Sequence, residues 1–309
     1  MSKESLRQLA ADFKNFLAAQ SEDDLIVAAA PMPAAAAVLP KTTPQPQAVE
    51  ISQETEVAQK TQNVQPVTMQ PQAAMAVDTL TVQFRREVKP AAAAPQTLMT
   101  TAQKTKALAE LAQTIENCSR CPLGSTRINA VPGEGNVDAD VMFVGEGPGY
   151  DEDRQGRPFV GRAGQLLDKM IIAMGLSREK VFIANIAKCH PMTDPLHPEK
   201  HGNDRAPNAG EIACCRRYIE KQISIICPKY VIALGSVAAR ALISDAKSLG
   251  ALRGQFFNLR LDSVTLPKPV QIIATYHPAA LLRNPNWKKD AWADLQLVMD
   301  KLGLKGARK

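Results

Sequence analysis

Aromatic residues make up only 5% of this 309-residue chain, and histidine occurs four times. An aromatic or imidazole side chain beside glycines or at a strand end is therefore a marked position. No apolar run approaches the roughly 18–20 residues of a membrane-spanning helix. The opening segment, MSKESLRQLAADFKNFL, is charged throughout and lacks the apolar core of a secretory leader, so a soluble, cytoplasmic protein is expected. There is no Gly-x-Gly-x-x-Gly spacing and no Gly-Lys-Ser/Thr loop, which argues against the common phosphate cradles. The formal charge of +6 and pI near 9.0 permit a polyanionic partner without demanding one.

What is present divides the chain near residue 100. Leu6, Leu9, Phe13, Phe16 and Leu17 recur at helical spacing and predict an amphipathic helix within residues 1–20. Residues 21–100 are rich in Ala, Pro, Gln, Thr and Val, with few large apolar side chains. They cannot bury a core and are expected to be a disordered linker. Within it, TLTVQFRREV (79–88) alternates apolar and polar residues; it is read as coil, or as a strand added to a partner. From 101 to 309 the pattern is that of a folded domain. Helices are expected at 101–116, 162–174, 209–226, 236–243 and 287–302, and strands at 140–145, 181–186, 230–235 and 270–276. Such alternation predicts an α/β fold, a three-layer α/β/α sandwich around a short, mostly parallel sheet. Ligands of such sheets bind beyond the carboxyl ends of the strands.

Three chemistry-bearing stretches fall at those ends. The first is FVGEGPGYDEDRQGRPFVGRAGQLL (143–167). Gly145, Gly147 and Gly149 are expected to supply positive φ and close backbone approach. Asp151, Glu152 and Asp153 would repel phosphates and better suit activating water or facing a neutral or cationic centre. Phe159 fits either stacking on a planar ligand or ordinary core. The second is Asn185, an amide closing an apolar strand, able to donate and accept against a base edge. The third is YHPAALLRNP (276–285), where Pro278 breaks the strand at His277. His277 fits a catalytic or a structural role. Leu281, Leu282 and Arg283 read either as a loop that wedges between bases and meets a phosphate, or as the first turn of a core-facing helix.

Six cysteines in a reducing compartment point to metal or redox chemistry rather than disulfides. Cys118 and Cys121 form C-x2-C; Cys189, Cys214, Cys215 and Cys227 follow. A tight pair with two distant thiolates can close a four-sulfur site, and spacing does not separate zinc from an iron–sulfur cluster. Cys227, in an apolar run, is read as core.

Taken together, GEGPGYDEDRQGRPFVGRAGQLL, ANIAKC, HPAALLR and CSRCPLG resemble the motifs of the bacterial and archaeal family-4 uracil-DNA glycosylases, over roughly residues 105–303. The resemblance implies the uracil-DNA glycosylase fold and hydrolysis of the N-glycosidic bond of uracil in DNA, leaving an abasic site for base excision repair. It implies a [4Fe-4S] cluster, with zinc the alternative, held by Cys118, Cys121, Cys189 and Cys215. It assigns Gly147, Phe159, Asn185 and His277 to the uracil, His277, Glu146 and Glu152 to catalysis, and Leu281, Leu282 and Arg283 to the DNA. Glu152 would sit near C5 and crowd out a thymine methyl. A protein that binds uracil or abasic DNA without cutting it is the competing reading. A monomer in the cytoplasm, associated with the nucleoid, is expected. The N-terminal helix is read as a docking segment for a replication or repair protein, or as a solvated helix. One departure is the long segment 190–208, which adds His190, His197 and His201 and is expected to be a solvated loop.

Overall fold

The computed structural model describes residues 98–244 and 247–304. The helix expected in residues 1–20, nearly all of the 21–100 linker and its 79–88 stretch lie outside the described residues.

Helix α1 (Thr101–Glu116) begins at Thr100, whose hydroxyl accepts from the Gln103 amide while the Gln103 side chain returns to the Thr100 N–H. That reciprocal pair satisfies two donors that a helix start otherwise leaves open. A short turn of helix, α2 (Leu123–Thr126), follows the C-x2-C pair. The sheet comprises β1 (Glu134–Gly135), β2 (Val141–Gly145), β3 (Phe182–Asn185), β4 (Tyr230–Leu234), β5 (Phe256–Asn258) and β6 (Gln271–Thr275). Its order is β1-β3-β2-β4-β6-β5. The four central strands are parallel, and the two edges are antiparallel. All four strands expected from sequence are these central ones. The two- and three-residue edges carry no period and were not foreseen.

Alternation along the strands divides the core. Met142 and Val144 of β2 face one side, with Ala184, Val231, Ala233 and Ile272, under α5 (Ala209–Ile226) and α6 (Gly235–Leu242). Val141 and Phe143 face the other, with Ile183, Ile232 and Ile273, under α4 (Arg162–Ala173), α8 (Pro278–Arg283) and α9 (Lys288–Lys301). Helix α3 (Tyr150–Gln155) rides on the loop after β2, and α7 (Leu249–Leu252) precedes β5. The result is the expected three-layer α/β/α sandwich. Buried on both faces, β2 reads as a continuous apolar run, as central parallel strands do.

The chain runs from β2 to β3 on one flank, then crosses to β4 on the other. That reversal opens a crevice at the carboxyl ends. Phe159 guards it in a left-handed conformation, φ 53°, rare for a side chain of its size. Gly164 in α4 makes this possible, since a Cβ there would overlap the Phe159 carbonyl. Replacing Gly164 with Ala is expected to cost ~1–3 kcal/mol in urea unfolding, the usual cost of overpacking. An unchanged midpoint would show that the loop yields freely.

Candidate functional site

A cavity of about 680 Å³ lies at the carboxyl ends of the strands, and Glu146, Gly147, Phe159, Asn185, His277 and Arg283 all contribute to its wall. Residues more than a hundred positions apart in sequence are thus brought together.

The floor is set by what Gly145 lacks. A Cβ there would overlap the Asn185 Oδ1 and lie 2.5 Å from the Phe159 ring. Gly145, Gly147 and Gly149 were expected to take positive φ, but none of them does. Close approach explains Gly145. At Gly147 a Cβ would meet Ala187 and Pro191 only at 3.4–3.5 Å, ordinary contact. Asn185 is buried, and its Oδ1 has no hydrogen-bond partner among the described residues. An unpaired buried acceptor costs roughly 1–3 kcal/mol, which an N–H brought to that oxygen would offset.

His277 caps α8, its Nδ1 accepting from the Ala279 N–H at 3.2 Å. That contact leaves the ring proton on Nε2, as a donor. Burial, reinforced by the Arg283 charge, pushes the pKa down to about 4, so the imidazole is neutral near pH 7. Its ring centre lies 5.6 Å from that of Phe159. Gly235, at φ +86°, gives it room, because a Cβ there would sit 2.9 Å from the His277 Cβ. Gly235 was not singled out from sequence; its only signal is a glycine directly after a strand.

The acidic loop separates into different tasks. Glu146 lines the cavity, and burial raises its pKa while Arg283 pulls it back. Glu152 also lines the cavity, but its carboxylate accepts from three backbone amides: Val160 at 2.8 Å, Gly161 at 3.0 Å and Gly149 at 3.1 Å. It ties the loop after β2 to the start of α4. Asp153 is fully buried and accepts from the amides of Ile128 and Asn129.

Leu281 and Leu282, read either as a wedging loop or as the first turn of a core-facing helix, lie in helix α8; Leu281 is 2% exposed and packs in the core beneath α4 and α9, which sets the wedge aside for it, while Leu282 is half-buried against the same cluster. Extending Leu281 between bases would unpack the helix, whereas Arg283 is exposed at the cavity. The 190–208 segment, read as a solvated loop, is exposed at His197 and His201, as expected, but docked at His190. His190 is 1% exposed, its Nε2 lies 2.6 Å from Asp204, and Asp153 sits 3.7 Å from Nδ1. Burial opposes its charge, but the two carboxylates prevail and hold the pKa up at about 9. His201 packs on Tyr150 with ring centres 3.7 Å apart, and Arg154 grips the Pro198 carbonyl. Asn203 braces the turn through Asp194 and the His197 carbonyl.

The cysteines gather on the far side of the Asn185 strand. Cys118, Cys121, Cys189, Cys214 and Cys215 line one small cavity between α1 and α5. The Lys188 N–H points to the Cys215 sulfur at 3.2 Å and Arg127 to the Cys189 sulfur at 3.0 Å. Cys214 turns instead to the Arg120 carbonyl, 3.7 Å away. Burial pushes the Cys215 thiol up to about 12 and raises that of Cys189, so these sulfurs become thiolates only beside a cation. Among the described residues no three His, Cys, Asp or Glu side chains are grouped so as to hold a single metal ion. Cys227 is core, as expected.

Residues 132–296 match the family model described as Uracil DNA glycosylase superfamily. The chain is 42% identical over 194 residues to the type-4 uracil-DNA glycosylase of Pyrobaculum aerophilum, covering 62% of this chain and 92% of that protein. It is 34% identical over 204 residues to the type-4 enzyme of Archaeoglobus fulgidus, covering 65% and 96%. For that of Thermotoga maritima the identity is 39% over 175 residues, covering 56% and 82%.

The His277 ring is expected to give no titration shift by NMR between pH 5 and 9. Its folded pKa is depressed, so the unfolded chain binds the proton first as pH falls. The stability it contributes is present above about 6.5 and declines as pH falls toward the folded pKa of about 4. A midpoint near 6.5 would mean an open, hydrated ring.

Proposed function

This chain belongs to the uracil DNA glycosylase superfamily, and from that premise we propose that it hydrolyses the N-glycosidic bond of uracil in DNA and leaves an abasic site. The single observation that carries the reading is that Phe159, Asn185 and His277 share one cavity wall.

Uracil within a duplex is out of reach, so the nucleotide must leave the stack, at a cost of a few kcal/mol. In the cavity the Phe159 ring stacks on the base. The unpaired Asn185 Oδ1 accepts the N3–H of uracil, and its amide nitrogen donates to O4. Cytosine lacks that N–H, and its amino group would meet a second donor. Gly147 keeps the wall low beside the base. As the bond breaks, the base departs as an anion and the sugar becomes cation-like. The His277 Nε2–H donates to O2 as charge gathers there. A donor aimed at such an oxyanion is worth about 3–4 kcal/mol. Neutral imidazole suits this task, since a proton remains on Nε2 across physiological pH.

Glu146 is the carboxylate placed to face the sugar and orient water. Glu152 acts by holding the loop in shape, its oxygens being committed to backbone, while its methylenes stand where a thymine methyl would press. Arg283 meets a backbone phosphate. Leu281 anchors α8 to the core and so fixes where Arg283 stands, and Leu282 contributes apolar surface beside it.

The cysteine cavity fits a [4Fe-4S] cluster on Cys118, Cys121, Cys189 and Cys215. Zinc is the alternative occupant of the same four sulfurs. The N–H donors on Cys189 and Cys215, and the diversion of Cys214 to a carbonyl, support that choice of ligands. A cluster held there would tie α1, the segment after Asn185 and α5 together.

Asn185→Ala and His277→Ala are each expected to slow uracil release from a uracil-containing oligonucleotide at least tenfold, with unchanged circular dichroism. Full activity in both overturns the mechanism, and absence of release by the unaltered protein overturns the activity in favour of a binding module. Purified protein is expected to be brown, with iron and acid-labile sulfide in equal amounts. Colourless protein with stoichiometric zinc overturns the cluster.

A further inference from the structure

Trp287 is 39% exposed and stands at the cavity, on the single 3-10 turn Pro285–Trp287 between α8 and α9. The other tryptophan, Trp292, is half-buried against the core. Little of the fold requires Trp287 to be large, yet it is held firmly. Its ring stacks on Tyr276 at 4.8 Å and 9°. Tyr276 also takes the Arg253 guanidinium at 4.8 Å. Arg253 is in turn fixed by Asp294 at 3.0 Å, a buried carboxylate that also accepts from the Thr275 hydroxyl at 2.7 Å. The backbone is set as well, since Asn284 accepts from the amides of Asn286 and Trp287.

The result is a rigid aromatic face, braced from the sheet outward, open to water at the rim of the site. Arg283 and Lys289, both exposed, lie on either side of it in sequence. An aromatic plane flanked by cations is the arrangement that binds single-stranded nucleic acid, with bases stacked and phosphates neutralised. The apolar wedge expected at Leu281 is not available, because that side chain is in the core. Among the described residues that line the cavity, Trp287 is the exposed large apolar one.

We propose that Trp287 is a stacking platform for the nucleobase next to the extruded uracil in the same strand. The proposal rests on the glycosylase reading for its substrate and extends it to a contact outside the base pocket. Stacking there holds the strand after flipping and favours DNA whose neighbouring base is free to turn, as in single strands.

The test uses the full-length protein and single-stranded oligonucleotides. Titration with a uracil-free strand should quench tryptophan emission, and the quench should vanish in Trp287→Phe, which leaves Trp292 as a control. Trp287→Ala should raise KM for uracil release about tenfold, with kcat changed less than about twofold; Trp287→Phe should keep most of the affinity. Replacing the flanking base by an abasic spacer should weaken the unaltered protein to the level of Trp287→Ala and leave that variant unaffected. Equal KM in Trp287→Ala and the unaltered protein, or a loss that ignores the flanking base, overturns the platform. Failure of the unaltered protein to release uracil overturns the glycosylase reading instead, and the quench with uracil-free DNA still decides the platform.

Discussion

The site depends on two absent side chains beside Phe159. Gly145 and Gly164 leave the space into which its ring and its carbonyl fit. With that space open, a bulky residue can hold a left-handed backbone, φ 53°, that costs on the order of 1–3 kcal/mol. The strain is outweighed because the ring is packed in the core and the following amides are tied to Glu152. Asn185 then lies at the same floor, its oxygen unpaired. The unpaired oxygen is a cost to folding that an N–H brought to it would offset.

The polar residues around the cavity mostly serve to hold backbone. Three acids in a row suggest an acidic patch, but Asp153 turns inward to Ile128 and Asn129, and Glu152 binds amides. Glu146 and Asp151 are the carboxylates of this loop that line the cavity without being committed to those amides. The 190–208 segment follows the same logic. Its charged His190, set between Asp153 and Asp204, pins the segment to α3 and makes it a wall of the cavity. The rest of the segment stays largely in water, with His197 and His201 exposed.

The cysteine cavity and the base pocket share one short stretch of chain. From Asn185 to Cys189 it crosses from one to the other, and Lys188 joins them. Its N–H meets the Cys215 sulfur, and its ammonium binds the Asn185 carbonyl and Gln222. A group bound by the thiolates would therefore fix the backbone that carries the Asn185 amide.

Periodicity alone was enough for the central strands and long helices. Val141–Gly145 and Tyr230–Leu234 are apolar throughout because both faces are covered, and Ala209–Ile226 repeats at helical spacing. The motifs likewise marked Gly145, Phe159, Asn185 and His277, since strand ends and glycines are visible in one dimension. The edge strands Glu134–Gly135 and Phe256–Asn258 were not legible, being too short to repeat. Nor was the fate of Leu281: Leu-Leu-Arg after His-Pro suits a loop or a helix, and only packing against α4 and α9 chose the helix. Gly235 and Trp287 join the site through His277 and Tyr276, just past β6, and no periodicity reports that. Sequence thus determined which segments are strand, helix and glycine loop, because those follow from neighbours along the chain. Tertiary structure decided which carboxylates are spent on backbone, which leucine is buried and which aromatic faces the cavity, because those depend on partners far away in sequence.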